Sequence, residues 1–239
     1  MTLNPYEADL SKVMGQADGH RQIIGGLWEE MGEHQRAYLV AQGLSPSDFL
    51  LDIGCGSLRA GVKLVPFLDP GHYFGIDLMP ALLEEGYAKE IVPLGLEARL
   101  PRENLAVADA FQIPFGDTVF DHALAQSLFS HLPINHLRLC LANLRPRMRL
   151  GGIFHATFFT VPDGHALNAP CTQVPSGGEG IHWEGELTKA EVTTFGHQDP
   201  FHYYRGDLDF AAIGLGWTLE GVFDWQHPRG QKIARFRAT

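Results

Sequence analysis

Three carboxylates and two glycines have the types and spacing to hold a nucleotide-like ligand. Asp52 stands just before Gly54 and Gly56 in the run Leu50-Leu51-Asp52-Ile53-Gly54-Cys55-Gly56-Ser57-Leu58-Arg59-Ala60-Gly61. The apolar start of this run reads as a strand and the glycines as a sharp turn. Val62, Leu64 and Val65 then read as a helix. Glycines let a ligand approach the backbone, and a helix start offers unpaired N–H donors. Asp77 lies 21 positions after Gly56. An acid closing the second strand of a nucleotide-binding unit can accept hydrogen bonds from both ribose hydroxyls. Asp109, expected at the end of a third strand, can accept from the exocyclic amine of an adenine, with the N–H of Ala110 facing a ring nitrogen. A carboxylate at Asp52 suits a ligand carrying positive charge and suits a pyrophosphate poorly. The cradle therefore fits adenosine joined to a cationic group. The dehydrogenase fingerprint GxGxxG fails because Arg59 takes the third glycine site, and no GKS or GKT completes a P-loop.

S-adenosylmethionine is such a ligand, and the run of motifs resembles the class I S-adenosylmethionine-dependent methyltransferases. Leu50 to Gly56 resembles that family's first motif, Gly75-Ile76-Asp77 its second, and Ala108-Asp109-Ala110 its adenine motif. Asp121 to Leu132 resembles the fourth-strand motif, and Arg147 to Gly152 the turn into the fifth strand. The resemblance implies S-adenosylmethionine as cofactor. In its terms Asp52, Gly54, Cys55 and Gly56 line the methionine part. Asp77 and Leu78 take the ribose, Asp109 and Ala110 the adenine, and Gln126 and Ser127 face the cofactor from the fourth strand. The chain departs from the family at Leu58, where the family carries its third glycine. Read without the family, Cys55 is a small loop filler with no basic neighbour to make it a nucleophile.

The chain holds 12 histidines. His131, His165, His182, His197 and His202 lie at or after the edge where the strands end. Methyl transfer to oxygen needs a proton removed near neutral pH, a task that suits histidine. His131, His182 and His165 are the candidate catalytic bases, although any one histidine is more often solvated or structural. No HExxH or comparable ligand spacing appears, so the sequence supports no metal site and leaves metal dependence open. Tyr6, Trp28 and Tyr38 either cover the cofactor or pack in the core. Arg145, Arg147 and Arg149 are expected to complement the carbonyl end of a helix.

The elements that must position these residues alternate. An amphipathic helix is predicted from Leu27 to Gln42, closed by Gly43. Strands follow at Phe49–Ile53, His72–Asp77, Leu105–Asp109, Thr118–Ala125 and Ile153–Thr160. Helices are predicted to start at Pro80 and run to Val92, and to span Pro133–Met148. Such alternation predicts an α/β fold with a doubly wound, mostly parallel sheet whose ligand binds at the carboxyl ends of the strands. A helix is expected over Asp207–Gly214. Trp217–Trp225 and Gln231–Ala238 read as a closing antiparallel pair. With the family's architecture this makes a seven-stranded sheet with an antiparallel last strand. A single domain is expected. It comprises an N-terminal helical arm over residues 1–44, a cofactor-binding core over 45–160, an acceptor lid over 161–205, and a closing helix and strand pair over 206–239. The lid stretch, with four prolines and many aromatic residues, is expected to be long and irregular.

The formal net charge of −10 argues against long nucleic acid as a partner. The three cysteines form no CxxC pair, which fits a reducing compartment. No apolar run is long enough for a membrane span, and no secretory signal is visible. The expectation is a cytoplasmic methyltransferase acting on a small molecule, natural-product or sugar-like, at oxygen. The sequence leaves homo-oligomerisation open. Its rivals are an RNA or protein methyltransferase, a non-catalytic S-adenosylmethionine-binding protein, and aminopropyl-transfer or nicotinamide chemistry.

Overall fold

The computed structural model describes residues 18–175 and 191–239. In chain order its helices and strands are α1 (Gly19–Gln22), α2 (Trp28–Ala41), β1 (Leu50–Ile53), α3 (Gly61–Leu64), β2 (Tyr73–Asp77), α4 (Pro80–Gly86), β3 (Leu105–Val107) and β4 (Phe120–Ala125). They continue as α5 (Ile134–Leu144), β5 (Met148–Thr160), β6 (Cys171–Gln173), β7 (Val192–Thr194), β8 (His202–Tyr203), α6 (Arg205–Ala212), β9 (Trp217–Asp224) and β10 (Lys232–Ala238). The strand order is β3-β2-β1-β4-β5-β10-β9, with β8 also paired to β5. This is the predicted mostly parallel sheet with an antiparallel last strand, here β10, which runs antiparallel to both β5 and β9.

The chain divides into two compact units, Met1–Asp48 with Cys55–Val107 and Phe49–Gly54 with Ala108–Thr239. In the first, β2 and β3 pair in parallel from Gly75 with Leu105 to Asp77 with Val107. Helix α2 buries Trp28, Met31, Gln35 and Leu39, the three-and-four spacing of one helical face. It ends where predicted: Gly43 takes a left-handed φ of +98°, and the N–H of Leu44 returns to the carbonyl of Leu39 at 3.0 Å.

In the second unit β1 is buried along its whole length. It pairs in parallel with β4, Leu51 opposite Ala123, and β4 pairs in parallel with β5, Ala123 opposite Phe154. Strands buried on both faces read as near-continuous apolar runs, which is why Leu50, Leu51 and Ile53 are legible as a strand although Asp52 stands among them. Phe129 stacks on Phe158 with ring centroids 5.6 Å apart, and Phe154 on Phe236 at 6.0 Å. All four rings are fully buried, each stabilising the core by roughly 1.5–3 kcal/mol.

Several expected boundaries are corrected. The helix beginning at Pro80 is α-helical only to Gly86. It widens into a π turn over Tyr87–Ile91 and tightens into a 3-10 turn over Val92–Leu94. Pro93 has no N–H to continue the ladder, and the π turn lies where Glu90 is buried. The third strand ends at Val107 rather than Asp109, because Ala110 and Phe111 take left-handed φ values of +50° and +59°. The helix expected to reach Met148 stops at Leu144, before a 3-10 turn over Arg145–Arg147. The fifth strand begins at Met148 and carries Gly151 and Gly152 inside it. The last helix starts at Arg205, where the carboxylate of Asp207 accepts the N–H of Tyr204 at 2.9 Å. The stretch 161–205 is not irregular throughout. Strands β6 and β7 pair antiparallel, and β8 adds an eighth strand beside the end of β5.

Candidate functional site

In the first unit the glycine turn and the acid of β2 are joined directly. One carboxylate oxygen of Asp77 accepts the backbone N–H of Gly56 at 2.8 Å. The other accepts that of Met79, also at 2.8 Å. Burial pushes the Asp77 carboxyl above its usual range, and the backbone donors of Met79, Gly56 and Leu78 oppose that shift. Cys55 is buried and sends its N–H to the carbonyl of Ile76 at 3.1 Å. Leu78 is exposed. Leu58, standing where the family has a glycine, takes a left-handed φ of +72° while fully buried. The backbone thus keeps the glycine conformation that its residue type disfavours.

The segment before α2 lies on this turn. Gly56 has a φ of +55°, and a Cβ there would come within 2.9 Å of Ile24 Cγ2. Ser57 Oγ donates to the carbonyl of His20 at 2.6 Å. Arg59 Nη1 donates to the carbonyl of Gly26 at 2.7 Å and of Ile24 at 3.3 Å. His20 and Arg21 reach Glu90 in turn, and Trp28 carries the guanidinium of Arg21 over its ring. Nothing in the spacing announced these hydrogen bonds, whose partners lie 33 to 70 positions apart.

In the second unit Asp52 is buried on β1, opposite Leu124 of β4. Gly54 has a φ of +72°, and a Cβ there would come within 3.3 Å of Leu128 on the turn after β4. On that turn Ser127 takes a left-handed φ of +56°. Its N–H is held by Thr157 Oγ1 of β5 at 2.7 Å. Gln126 and Ser127 both donate to the side-chain oxygen of Gln231, at 3.3 Å and 3.1 Å. Gln231 escaped the sequence reading because it lies more than a hundred positions away. Asp109 and Ala110 are exposed in the loop after β3, and the Ala110 N–H points to Asp109's own carboxylate at 2.6 Å. That donor, expected to face an adenine, is therefore engaged within the loop.

The histidines separate. His131, half-buried after β4, places Nδ1 2.8 Å from a carboxylate oxygen of Asp199. His165 stands edge-on to His202 with ring centroids 5.5 Å apart, and its carbonyl accepts the hydroxyl of Tyr204. His202 is buried, with Nδ1 3.2 Å from Thr194 Oγ1. Burial, and then the nearby His165, lower its pKa. His197 lies at the surface. His182, with Trp183 and Tyr6, lies outside the described residues. Arg145 does not cap its helix: it donates to the carbonyls of Gly216, Met148 and Thr239. Arg147 takes Phe115 and Arg149 pairs with Asp121. Among the described residues, no three histidine, cysteine or acidic side chains converge to hold a metal.

The donor set fits S-adenosylmethionine. Its chemistry is that of carboxylates beside glycine turns, Asp77 in the first unit and Asp52 in the second. Arg59, which follows the glycine turn, has its guanidinium turned to the carbonyls of Ile24 and Gly26.

Residues 51–154 match the family described as "Methyltransferase domain". Solved structures share the fold. One is an S-adenosylmethionine-dependent methyltransferase from Clostridium acetobutylicum, 13% identical, with a TM-score of 0.61 over 98% of this chain and 99% of that one. Another is the magnesium protoporphyrin IX methyltransferase from Synechocystis with bound SAM, 12% identical, with a TM-score of 0.58 over 94% of this chain and 85% of that one. A third is a TehB-like SAM-dependent methyltransferase from Corynebacterium glutamicum, 19% identical, with a TM-score of 0.56 over 99% of this chain and all (100%) of that one.

Proposed function

We propose that this chain, which belongs to the class I S-adenosylmethionine-dependent methyltransferases, methylates a small molecule at oxygen. In this reading Asp52, Gly54, Cys55 and Gly56 hold the methionine part of the cofactor. Asp77 and Leu78 take the ribose, Asp109 and Ala110 the adenine, and Gln126 and Ser127 face the cofactor. Bound there, S-adenosylmethionine supplies a methyl group already activated on a sulfonium. The chain's own work is then to align the acceptor, exclude water and remove a proton.

The observation that carries the oxygen reading is His131. It is a half-buried histidine just past the carboxyl end of β4, held by a carboxylate. Such a group is suited to take a hydroxyl proton near neutral pH. His165 and His182 remain the other candidate bases. Within residues 161–205, the described stretches 161–175 and 191–205 belong to the acceptor lid in this reading. Its support is the β8 pairing with the end of β5 and the hydroxyl of Tyr203 donating to the carbonyl of Leu132, next to His131. The net charge of −10 favours a small acceptor over RNA. A cytoplasmic location accords with three free cysteines and with the described residues holding no helix long and apolar enough to cross a membrane.

The experiment supplies S-adenosylmethionine labelled in its methyl group, with separate pools of small hydroxylated compounds, RNA and protein. Label is expected in the small-molecule pool and lost in His131→Ala. Label in RNA or protein would replace the acceptor class. Cofactor binding with no transfer to any pool would favour a non-catalytic binding role.

A further inference from the structure

Resting on the reading that His131 takes the acceptor's proton, we propose that Asp199 is the positioning residue for that histidine. Its carboxylate fixes the imidazole as the Nδ1–H tautomer, so that Nε2 carries the lone pair. Asp199 lies 68 positions beyond His131 and belongs to none of the motifs that identify the cofactor site.

The geometry is direct. Nδ1 of His131 is 2.8 Å from Oδ1 of Asp199. A carboxylate oxygen only accepts, so in a neutral imidazole the nitrogen facing it must carry the hydrogen. The lone pair is then on the other nitrogen, which is where a general base needs it. When Nε2 receives the acceptor's hydroxyl proton, the imidazolium charge forms beside the carboxylate. That arrangement stabilises the charged form without moving the proton further.

The ordinary alternative is a surface ion pair. These side chains are 31% and 39% exposed, and such pairs contribute about 0–1 kcal/mol. What separates this pair from that case is how both partners are held by other bonds. The N–H of Phe201 donates to the carbonyl of Ser130 at 2.8 Å, joining the Asp199 loop to the residue before His131. The loop is closed on itself by Phe195 N–H to Pro200 O at 2.9 Å and His202 N–H to Phe195 O at 2.7 Å. On the other side the N–H of His131 returns to Leu128 O at 3.1 Å, and Ser130 Oγ donates to Ser127 O at 2.7 Å. The two backbones are in place without the dyad, so the carboxylate is presented to the ring by the fold. Removing it is expected to leave the fold intact.

The test is nitrogen NMR of the full chain labelled with 15N-histidine, at about pH 8, where imidazoles are neutral. Wild type is expected to show a pyrrole-type Nδ1 and a pyridine-type Nε2 for His131. The assignment is confirmed by loss of the signals in His131→Gln. Asp199→Ala is expected to convert the ring largely to the Nε2–H form, and Asp199→Glu to restore the first pattern in part. In the methyl-transfer assay Asp199→Ala should lower kcat roughly 10- to 100-fold, with KM for S-adenosylmethionine unchanged. An Nε2–H ring in wild type, or identical nitrogen signals in Asp199→Ala, would overturn the positioning role whatever the activity. A wild-type Nδ1–H ring together with full transfer by His131→Ala would instead sink the base reading on which the proposal rests.

Discussion

Nε2 of His20 lies 2.6 Å from Oε1 of Glu90, and both side chains are buried, at 2% and 5% exposure. Arg21 adds a two-pronged contact to the same carboxylate, at 2.7 Å and 2.9 Å. Together they tie the segment before α2 to the π turn after α4, and hence hold Ile24 against Gly56. Removing one partner of a buried pair leaves the other uncompensated. Glu90→Ala is therefore expected to lower stability by about 2–4 kcal/mol, less than a fully buried pair because Arg21 is partly exposed. Urea unfolding measures the loss, and limited proteolysis should cut faster near Gly25 and Gly26. An unchanged midpoint would mean that the segment is held by its backbone contacts to Ser57 and Arg59 alone.

Asp77→Ala removes the acceptor expected for the ribose hydroxyls, and with it the partner of the Gly56 and Met79 N–H groups. Binding of S-adenosylhomocysteine should weaken by about 1.5–3 kcal/mol, as for a charged hydrogen bond. Asp109→Ala should cost about 0.5–1.5 kcal/mol, because its expected partner is neutral. Calorimetry on the folded variants decides both. Full affinity in Asp77→Ala would remove that residue from the cofactor site.

Leu58 offers a test of the substituted glycine position. Its left-handed φ of +72° costs roughly 1–2 kcal/mol, but its side chain is fully buried. Deleting a buried leucine costs about 2–5 kcal/mol. Leu58→Gly should thus destabilise by a net of roughly 1–3 kcal/mol, read by thermal unfolding, although it restores the family's residue. A stabilised variant would show that backbone strain outweighs packing at this turn.

Acid should weaken the fold through its buried histidine pair. His122 and His155 stack across β4 and β5, with Nδ1 of one 3.2 Å from Nε2 of the other. Burial, then the neighbouring His122 and the arginines Arg235 and Arg237, hold the pKa of His155 well below its ordinary 6.5. The native state therefore resists a proton that the unfolded chain accepts below about pH 6.5. Stability contributed by neutral His155 is present above that pH and falls as the pH drops. The slope is at most about 1.4 kcal/mol per pH unit. Urea unfolding between about pH 5 and 8 should show this slope, and His155→Gln should flatten it. An equal slope in the variant would assign the acid sensitivity to other groups.

Local chemistry determined much of this protein in advance. The run Leu50–Ile53, apolar but for Asp52, the glycines after it and the acid at Asp77 are contiguous or regularly spaced, so their strand, turn and strand end are visible one segment at a time. The closing pair of strands was legible for the same reason, since its turn is short. Tertiary structure decided what depends on distant partners. The third strand stops at Val107, short of Asp109, for a local reason, the left-handed turn at Ala110 and Phe111. The helix after Pro80 widens where Glu90 turns inward to His20 and Arg21, residues some seventy positions earlier. Gln231 reached Gln126 and Ser127, and Asp199 reached His131, through folding alone. A side chain's type states what it can bond, but only the packed backbone brings a partner within 3 Å. For that reason the strands and the glycine turn that carry the family resemblance could be read from the residues, whereas the carboxylate behind His131 and the segment over Gly56 could not.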